Sequence, residues 1–345
     1  MPFDRRFGVP DRLEPPDRVA IDGKGSAGGV QREGRIITVG VSPAWDVSCR
    51  GRDLDWGRHS QIDEQVARPA GKSLNVSRAL AWMSVPNVAT GLWGREDYEQ
   101  MQAATARLGG LVQAQMTPAD GRTRLNITVV DTLHHREMHL RRRSELATGY
   151  SLDRLGADLN RLVRQGDTCV FAGAMPDGTL LEAAVDLVRT GRQRQAWIAV
   201  DTYGPALSRI VDEGLASLIA PNVSELRELL ARDVEDEPPG LVQAGRTLLE
   251  KAEMVLISRG EKGAILIASE GAWSGRPQRQ RPALSTVGCG DYLLAGFLAQ
   301  LRETGELPSA LATGLKIAGA KAWGWTDTRN WQEVEQEVAV TIESV

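Results

Sequence analysis

The chain has 345 residues, which at about 100–200 residues per domain allows one large domain or two small ones. Hydrophobic residues make up 42% and charged residues 25%, an ordinary balance for a water-soluble globular protein. The net charge of −4 excludes a general nucleic-acid binder, which needs a basic surface, and leaves room for a local basic pocket.

The three cysteines, Cys49, Cys169 and Cys289, lie far apart and show no metal-binding spacing. That usage suits a reducing compartment. No apolar run reaches the about 18 residues of a membrane span, and the N-terminus lacks the apolar core of a secretory signal. The expectation is a cytoplasmic protein with no membrane contact.

Residues 1–34 are rich in Pro, Gly and charge and read as a flexible extension. The "GKGS" at 23–26 lies inside it and reads as incidental. Order is expected from "RIITVGVSPAWD" (35–46), whose "IITVGV" is a short strand ended by Ser42-Pro43. "NVSRALAWM" (75–83) reads as helix, "NVATGLWG" (87–94) as strand and turn, and "YEQMQAATARLGG" (98–110) as helix with a glycine stop. "DTCVFAG" (167–173), "QAWIAVDTYG" (195–204), "SLIAPN" (217–222), "AEMVLISRG" (252–260) and "GAILIAS" (263–269) read as strands. "TLLEAAVDLVRTG" (179–191), "GCGDYLLAGFLAQLRETG" (288–305) and "LPSALATGLKIAGAKAWGW" (307–325) read as helices. This alternation predicts an α/β fold with a mostly parallel, helix-covered sheet and ligands beyond the carboxyl ends of its strands. Two charged segments, 46–68 and 121–143, carry β-type alternation and no clear helix. They are expected to pair into a small separate sheet.

The chemistry concentrates at "STVGCGDYLLAGFLAQL" (285–301). Gly288 and Gly290 permit a tight turn, and the helix that follows aims its first N–H groups back into it. Free donors and the positive end of the helix dipole make an anion site. Asp291 reads either as a plain helix cap or as the carboxylate that takes a proton from an attacking hydroxyl beside that site. "ARPAGKSLNVSRAL" (67–80) invites a P-loop reading, which fails because Val66 stands where the pattern needs glycine. What remains is a small-residue turn with Lys72 and, at a helix start, Asn75. Lys72 is a candidate for a phosphate and Asn75 for a sugar hydroxyl; the bland readings are a solvent lysine and an N-cap.

With these segments in view, the chain resembles the PfkB-type sugar kinases of the ribokinase superfamily. It is most similar to the 1-phosphofructokinase and tagatose-6-phosphate kinase branch. "STVGCGDYLLAGFL" resembles "STVGAGDSMVAGFL", "PAGKSLNVSRAL" resembles "AAGKGINVARAL", and "ITVGVSPAWD" resembles "ITVTLNPALD". "GRTRLNITVVD" resembles "GRTRINVKL"; "FAGAMPDG", "VDTYGPAL", "PNVSEL" and "ISRGEKGA" resemble "SGSLPPG", "VDTSGEAL", "PNREEL" and "VSLGAKGA". Eight motifs in order, from about 35 to 325, are far more specific than any one.

The resemblance implies a ribokinase-like three-layer α/β/α kinase domain over 35–345, with a small β lid formed by the two charged segments. It implies Asp291 as catalytic base and Gly288, Cys289 and Gly290 as anion hole. Asp46, Gly71, Lys72 and Asn75 match sugar contacts, and Arg124 and Asn126 match contacts to the acceptor and its phosphate. Asn222 and Glu225 match a pair that organises Mg2+ and the ATP phosphates, with Glu225 the metal residue, directly or through water. Ser258, Gly260 and Gly263 match the nucleotide-side loop. ATP and Mg2+ are the implied cofactors, and a homodimer through the lid is the implied assembly. The expected reaction is ATP-dependent phosphorylation of fructose 1-phosphate to fructose 1,6-bisphosphate. Tagatose 6-phosphate, fructose 6-phosphate, an unphosphorylated sugar or a nucleoside are alternative acceptors. A sugar-phosphate sensor without turnover is the alternative of a different class.

Several positions depart from the family pattern. Tyr292 replaces a small serine, a bulk that threatens to crowd the site. Ser73 replaces a glycine, at a steric cost if the backbone there has positive φ. Ala220 replaces the lysine of "KPN" and removes a charge, and "HLRRRSELA" lacks the proline of "NEPGP". Arg136, Arg141, Arg142 and Arg143 read more readily as a solvated edge strand than as phosphate ligands. His134, His135 and His139 lack partners at metal-ligand spacing. Trp45, beside Asp46, reads first as packing.

Overall fold

The computed structural model describes residues 34–278 and 281–345. The expected extension therefore lies outside the described residues, apart from Gly34. Gly34 belongs to the fold: a Cβ on it would stand 1.9 Å from the Gly166 carbonyl oxygen.

In chain order the elements are β1 (Ile36–Gly40), β2 (Ala44–Gly51), β3 (Glu64–Ala70), α1 (Lys72–Trp82), β4 (Asn87–Gly94), α2 (Tyr98–Ala106) and β5 (Val112–Ala119). There follow β6 (Leu125–Asp131), β7 (Arg136–Arg141), α3 (Gly149–Leu162), β8 (Thr168–Ala172), α4 (Leu181–Gln193), β9 (Trp197–Asp201), α5 (Gly204–Asp212) and β10 (Leu218–Ile219). The rest are α6 (Val223–Leu230), α7 (Pro238–Arg246), β11 (Met254–Ser258), β12 (Ala264–Ala268), β13 (Gly271–Pro277), α8 (Cys289–Thr304), α9 (Leu307–Ala322), α10 (Trp331–Glu337) and β14 (Val340–Ser344).

The main sheet has ten strands in the order β14-β13-β12-β11-β10-β9-β8-β1-β4-β5. It is parallel from β5 to β11 and antiparallel from β11 to β14. Its parallel strands are continuous apolar runs because helices cover both faces. Alternate residues feed the two sides. Cys169, Phe171, Ile198 and Val200 pack with α3 to α7, while Val170, Ala172, Trp197 and Ala199 pack with α1, α8, α9 and α10. The three-layer α/β/α architecture read from the sequence is the observed one.

The two charged segments form the second sheet, four strands in the order β3-β2-β6-β7. β2 pairs antiparallel with β3 and parallel with β6, and β6 pairs antiparallel with β7. Asp97 roots this lid in the body. Trp45 and Trp93 both donate their indole N–H to Asp97, and the Thr123 backbone N–H donates to it at 3.0 Å. The two indoles meet edge to face, with ring centroids 5.6 Å apart. Trp45 is therefore a packing residue, and the residues after each anchor, Asp46 and Arg124, are aimed from a fixed base.

Some elements have no counterpart in the sequence reading. Helix α3 starts at a capping box in which Thr148 and Ser151 exchange hydrogen bonds. Serine in the place of the usual Glu or Gln hides that signal. Helices α5 and α7 and strands β13 and β14 were likewise not expected.

Candidate active site

A cavity of about 1050 Å³ opens where the carboxyl ends of the parallel strands meet the lid. Three helix starts converge on it: α1 after Gly71, α6 after Asn222 and α8 after Gly288.

The N-cap of α8 is Gly288, in the left-handed region at φ 82°. Asp291 does not cap the helix; no side-chain cap bond is present. Its carboxylate instead accepts a hydrogen bond from Asn75 Nδ2 at 2.7 Å. Asp291 is only 4% exposed. Burial and the nearby Asp201 and Asp46 carboxylates push its pKa up to about 7, against the opposing pull of Asn75 and Lys72. A carboxylate poised near neutrality is a competent general base. Among the described residues, the backbone N–H groups of Gly290 and Asp291 have no acceptor. They are the free donors that an anion would meet.

On the opposite wall Lys72, at the start of α1, donates to Asp201 Oδ1 at 2.6 Å. Burial opposes the lysine's charge, but Asp201 outweighs it and the pKa rises. Lys72 is thus a committed ammonium, not a solvent lysine. Asn75 lies one turn later in α1, whose N-cap is Gly71 at φ 118°. Ser73 is an ordinary helical residue, and the feared strain falls on glycine. Ser73 is also tightly fitted, since a Cβ on Gly40 would stand 2.1 Å from its Oγ.

The lid supplies the third wall. Asn126 Nδ2 donates to Asp46 Oδ1 at 2.8 Å, and among the described residues the buried Asn126 Oδ1 has no partner. Arg124 is half-buried and spans the lid root, donating to the carbonyls of Pro43, Arg142 and Ser42 at 3.2, 2.8 and 3.3 Å. Burial lowers its pKa, and neighbouring Arg141 adds to that pull. Arg141 also faces the cavity, while Arg136 is paired with Asp131 and Arg142 with Glu145. One residue of the basic cluster, not four, belongs to the site.

On the α6 side Asn222 and Glu225 cap each other. Asn222 Oδ1 accepts from the Glu225 N–H, and Glu225 Oε2 accepts from the Asn222 N–H, both at 2.9 Å. Burial is the first cause of the raised Glu225 pKa. Asn222, Glu225, Ser258 and Ala220 all line the cavity. Gly260 and Gly263 do not. Gly263 serves the sheet instead, with φ 93° and a Cβ position 2.0 Å from the Gly275 carbonyl oxygen. Cys289 is also off the cavity wall, its Sγ 3.7 Å from the Ser285 carbonyl oxygen. Burial pushes its thiol up to about 11.

Tyr292 is held in the apolar layer behind the start of α8. It is 4% exposed, packs among the apolar residues of α1, α8 and α9, and also lines the cavity. Asp201, Tyr203 and Lys321 are cavity residues that sequence reasoning missed. Asp201 is the last residue of β9, after an apolar run, and Lys321 sits in the last turn of a helix, where a lysine is unremarkable.

A buried carboxylate beside free helix-terminal donors, with further cations around one cleft, is the arrangement that phosphoryl transfer to an alcohol needs. Residues 49–322 match the pfkB family carbohydrate kinase pattern, and the chain belongs to that family. It is 30% identical over 288 residues to a 1-phosphofructokinase of Rhodobacter capsulatus, covering 81% of this chain and 90% of that one. It is 26% identical over 287 residues to the 1-phosphofructokinase of Escherichia coli K12, covering 81% and 89%. The fold is shared with phosphofructokinase-2 from Escherichia coli in complex with fructose-6-phosphate, at TM-score 0.80 and 22% identity, covering 88% of this chain and 98% of that one. It is shared too with a possible 1-phosphofructokinase from Thermotoga maritima, at TM-score 0.75 and 22% identity, covering 90% and 99%. The protein is a carbohydrate kinase that uses ATP. Among the described residues, no helix is long and apolar enough to cross a membrane.

Proposed function

We propose that the acceptor is a phosphorylated ketose, fructose 1-phosphate, converted to fructose 1,6-bisphosphate. The observation that carries this reading is the pair of guanidiniums on the lid wall. Arg124 and Arg141 face the cavity and, among the described residues, neither forms a salt bridge to a carboxylate. A planar fork of donors suits a phosphate, and a kinase of neutral sugars has no use for two of them. The relatives at 26–30% identity that carry the name 1-phosphofructokinase support the same reading.

In this reading Asp291 takes the proton of the acceptor hydroxyl as its oxygen bonds to the γ-phosphorus of ATP and the bond to ADP breaks. The free N–H groups of Gly290 and Asp291 hold the charge on the moving phosphoryl group. Lys72 steadies the same region while Asp201 holds it in place. Asp46 and Asn126 orient the sugar from the lid. The lid covers the cleft and limits attack on ATP by water.

Mg2+ entering with ATP suits the α6 side. Glu225 Oε2 is occupied by the Asn222 N–H, which leaves its other oxygen for the ion or an ion-bound water. Mg2+ would offset the phosphate charges when bound. We assign a homodimer through the lid, because its exposed apolar residues, Ile62, Leu125, Leu133 and Leu140, are of a kind that a second lid would cover.

ADP release from Mg-ATP is the test, with fructose 1-phosphate, fructose 6-phosphate, tagatose 6-phosphate, ribose, fructose and adenosine as acceptors. Turnover is expected on fructose 1-phosphate. A preference for an unphosphorylated acceptor sinks the assignment.

A further inference from the structure

Lys321 is a cation that the mechanism above does not use. It lies in the last turn of α9 and lines the cavity. Its Cε is 3.8 Å from where a Cβ on Gly288 would stand, which places the side chain at the N-terminus of α8. Among the described residues, its ammonium group has no carboxylate or carbonyl partner. Away from the lid-wall pair Arg124 and Arg141, other cations of this cavity are already engaged. Lys72 is paired with Asp201, Arg68 with Asp327, and Arg78 donates to the Pro69 carbonyl.

What holds Lys321 is an aromatic face. Its Nζ is 5.4 Å from the centroid of the Tyr292 ring, within the range of a cation–π contact. Tyr292 itself is fixed by burial in the apolar layer. The ring steadies the ammonium without consuming its three donors. Two departures from the family pattern thereby fall into one arrangement. Ala220 leaves the β10–α6 wall without a positive charge, and Tyr292, in place of a small serine, seats a charge on the other side of the anion site.

We propose that Lys321 is a further catalytic residue that contacts the transferred phosphoryl group at the N-terminus of α8, with Tyr292 as its positioning residue. This rests on the reading of that helix start as the phosphoryl site. The phosphoryl group moves from ADP oxygen to acceptor oxygen and the hydroxyl proton goes to Asp291. Lys321 exchanges no proton and forms no covalent bond. It balances negative charge on the equatorial oxygens in flight, a role for which a point charge near free backbone donors is suited.

The experiment compares Lys321→Met, Lys321→Arg, Tyr292→Leu and Tyr292→Phe with the unmodified chain, and Asp291→Asn serves as control. Two readouts are taken: steady-state kinetics with fructose 1-phosphate, and calorimetric affinities for Mg-ATP and Mg-ADP without acceptor. Lys321→Met is expected to lower kcat by about a hundredfold. It should also weaken Mg-ATP more than Mg-ADP, because only ATP carries the group that Lys321 touches. Lys321→Arg restores part of the loss. Tyr292→Leu lowers kcat in the same direction and Tyr292→Phe, which keeps the ring, by less. A Lys321→Met enzyme with kcat within twofold of the parent overturns the proposal. So does an equal loss of ATP and ADP affinity at constant kcat, which would place Lys321 on the nucleoside. If Asp291→Asn is also active, the phosphoryl-site reading itself is wrong; if it is dead while Lys321→Met is not, only the lysine assignment falls.

Discussion

Asn75 Nδ2 donates to Asp291 Oδ2 at 2.7 Å, joining the first turns of α1 and α8 across 216 residues of chain. This bond favours the ionised carboxylate and opposes the burial that pushes Asp291 up to about 7. In the proposed role of general base, Asp291 must be deprotonated. The kcat/KM of the enzyme is therefore expected to rise with pH and level off above about 7. Asn75→Ala removes the stabilising donor, so its limb should move to higher pH. A limb that stays put, or moves to lower pH, denies Asn75 this part.

Asp291→Asn should cut kcat by about a thousandfold or more while Mg-ATP affinity changes little. It should also stabilise the fold at alkaline pH. The folded-state pKa of Asp291 lies above the ordinary carboxylate value of about 4, so folding takes up a proton between those two values. The stability contribution of this group is full below about pH 4 and lost as pH rises through about 7. The gain in Tm of the asparagine variant over the parent should be larger at pH 8 than at pH 5. Equal gains at both would show that the buried charge is not what destabilises the parent.

Arg124→Ala and Arg141→Ala separate the two lid guanidiniums. Each is expected to raise the KM for fructose 1-phosphate by about tenfold or more, the scale of one charge-assisted hydrogen bond to phosphate, with the KM for ATP nearly constant. Arg141 repels Arg124, so Arg141→Ala also eases the charge on Arg124. An acceptor KM unmoved by Arg124→Ala removes the support for a phosphorylated acceptor.

Asp97 is 1% exposed and holds two indoles and the Thr123 N–H. Asp97→Ala leaves these buried donors unpaired and should cost about 1–3 kcal/mol for each group left without a partner. Because Trp45 and Thr123 precede Asp46 and Arg124, the acceptor KM should rise together with a change in tryptophan fluorescence. Loss of stability with an unchanged acceptor KM would limit Asp97 to a structural role.

Much of this protein was legible in one dimension. The apolar runs at 36–40, 168–172 and 197–201 read as buried strands because a parallel sheet covered on both faces needs no polar residue. The lid was visible because a sheet with an exposed face must carry charge. The turn at the start of α8 was visible because the Gly-Cys-Gly-Asp stretch and an apolar helix are contiguous, so their geometry is local. Helix α3 was hidden by its serine-based cap, and Ser73 looked strained only because sequence cannot assign φ.

What the amino-acid order determined by itself was therefore whatever depends on neighbours in the chain: most of the parallel strands, half of the helices, the turn before α8 and the family resemblance. The tertiary structure decided the pairings. It turned Asn75 from a cap into the partner of Asp291, and tied Lys72 to Asp201 at the end of a distant strand. It chose Arg141 from four arginines, withdrew Gly260, Gly263 and Cys289 from the cavity wall, and set Lys321 against Tyr292. The reason is physical. A side chain's direction and its protonation follow from burial and from charges brought near by folding, and neither has a signature in the spacing of residues along the chain.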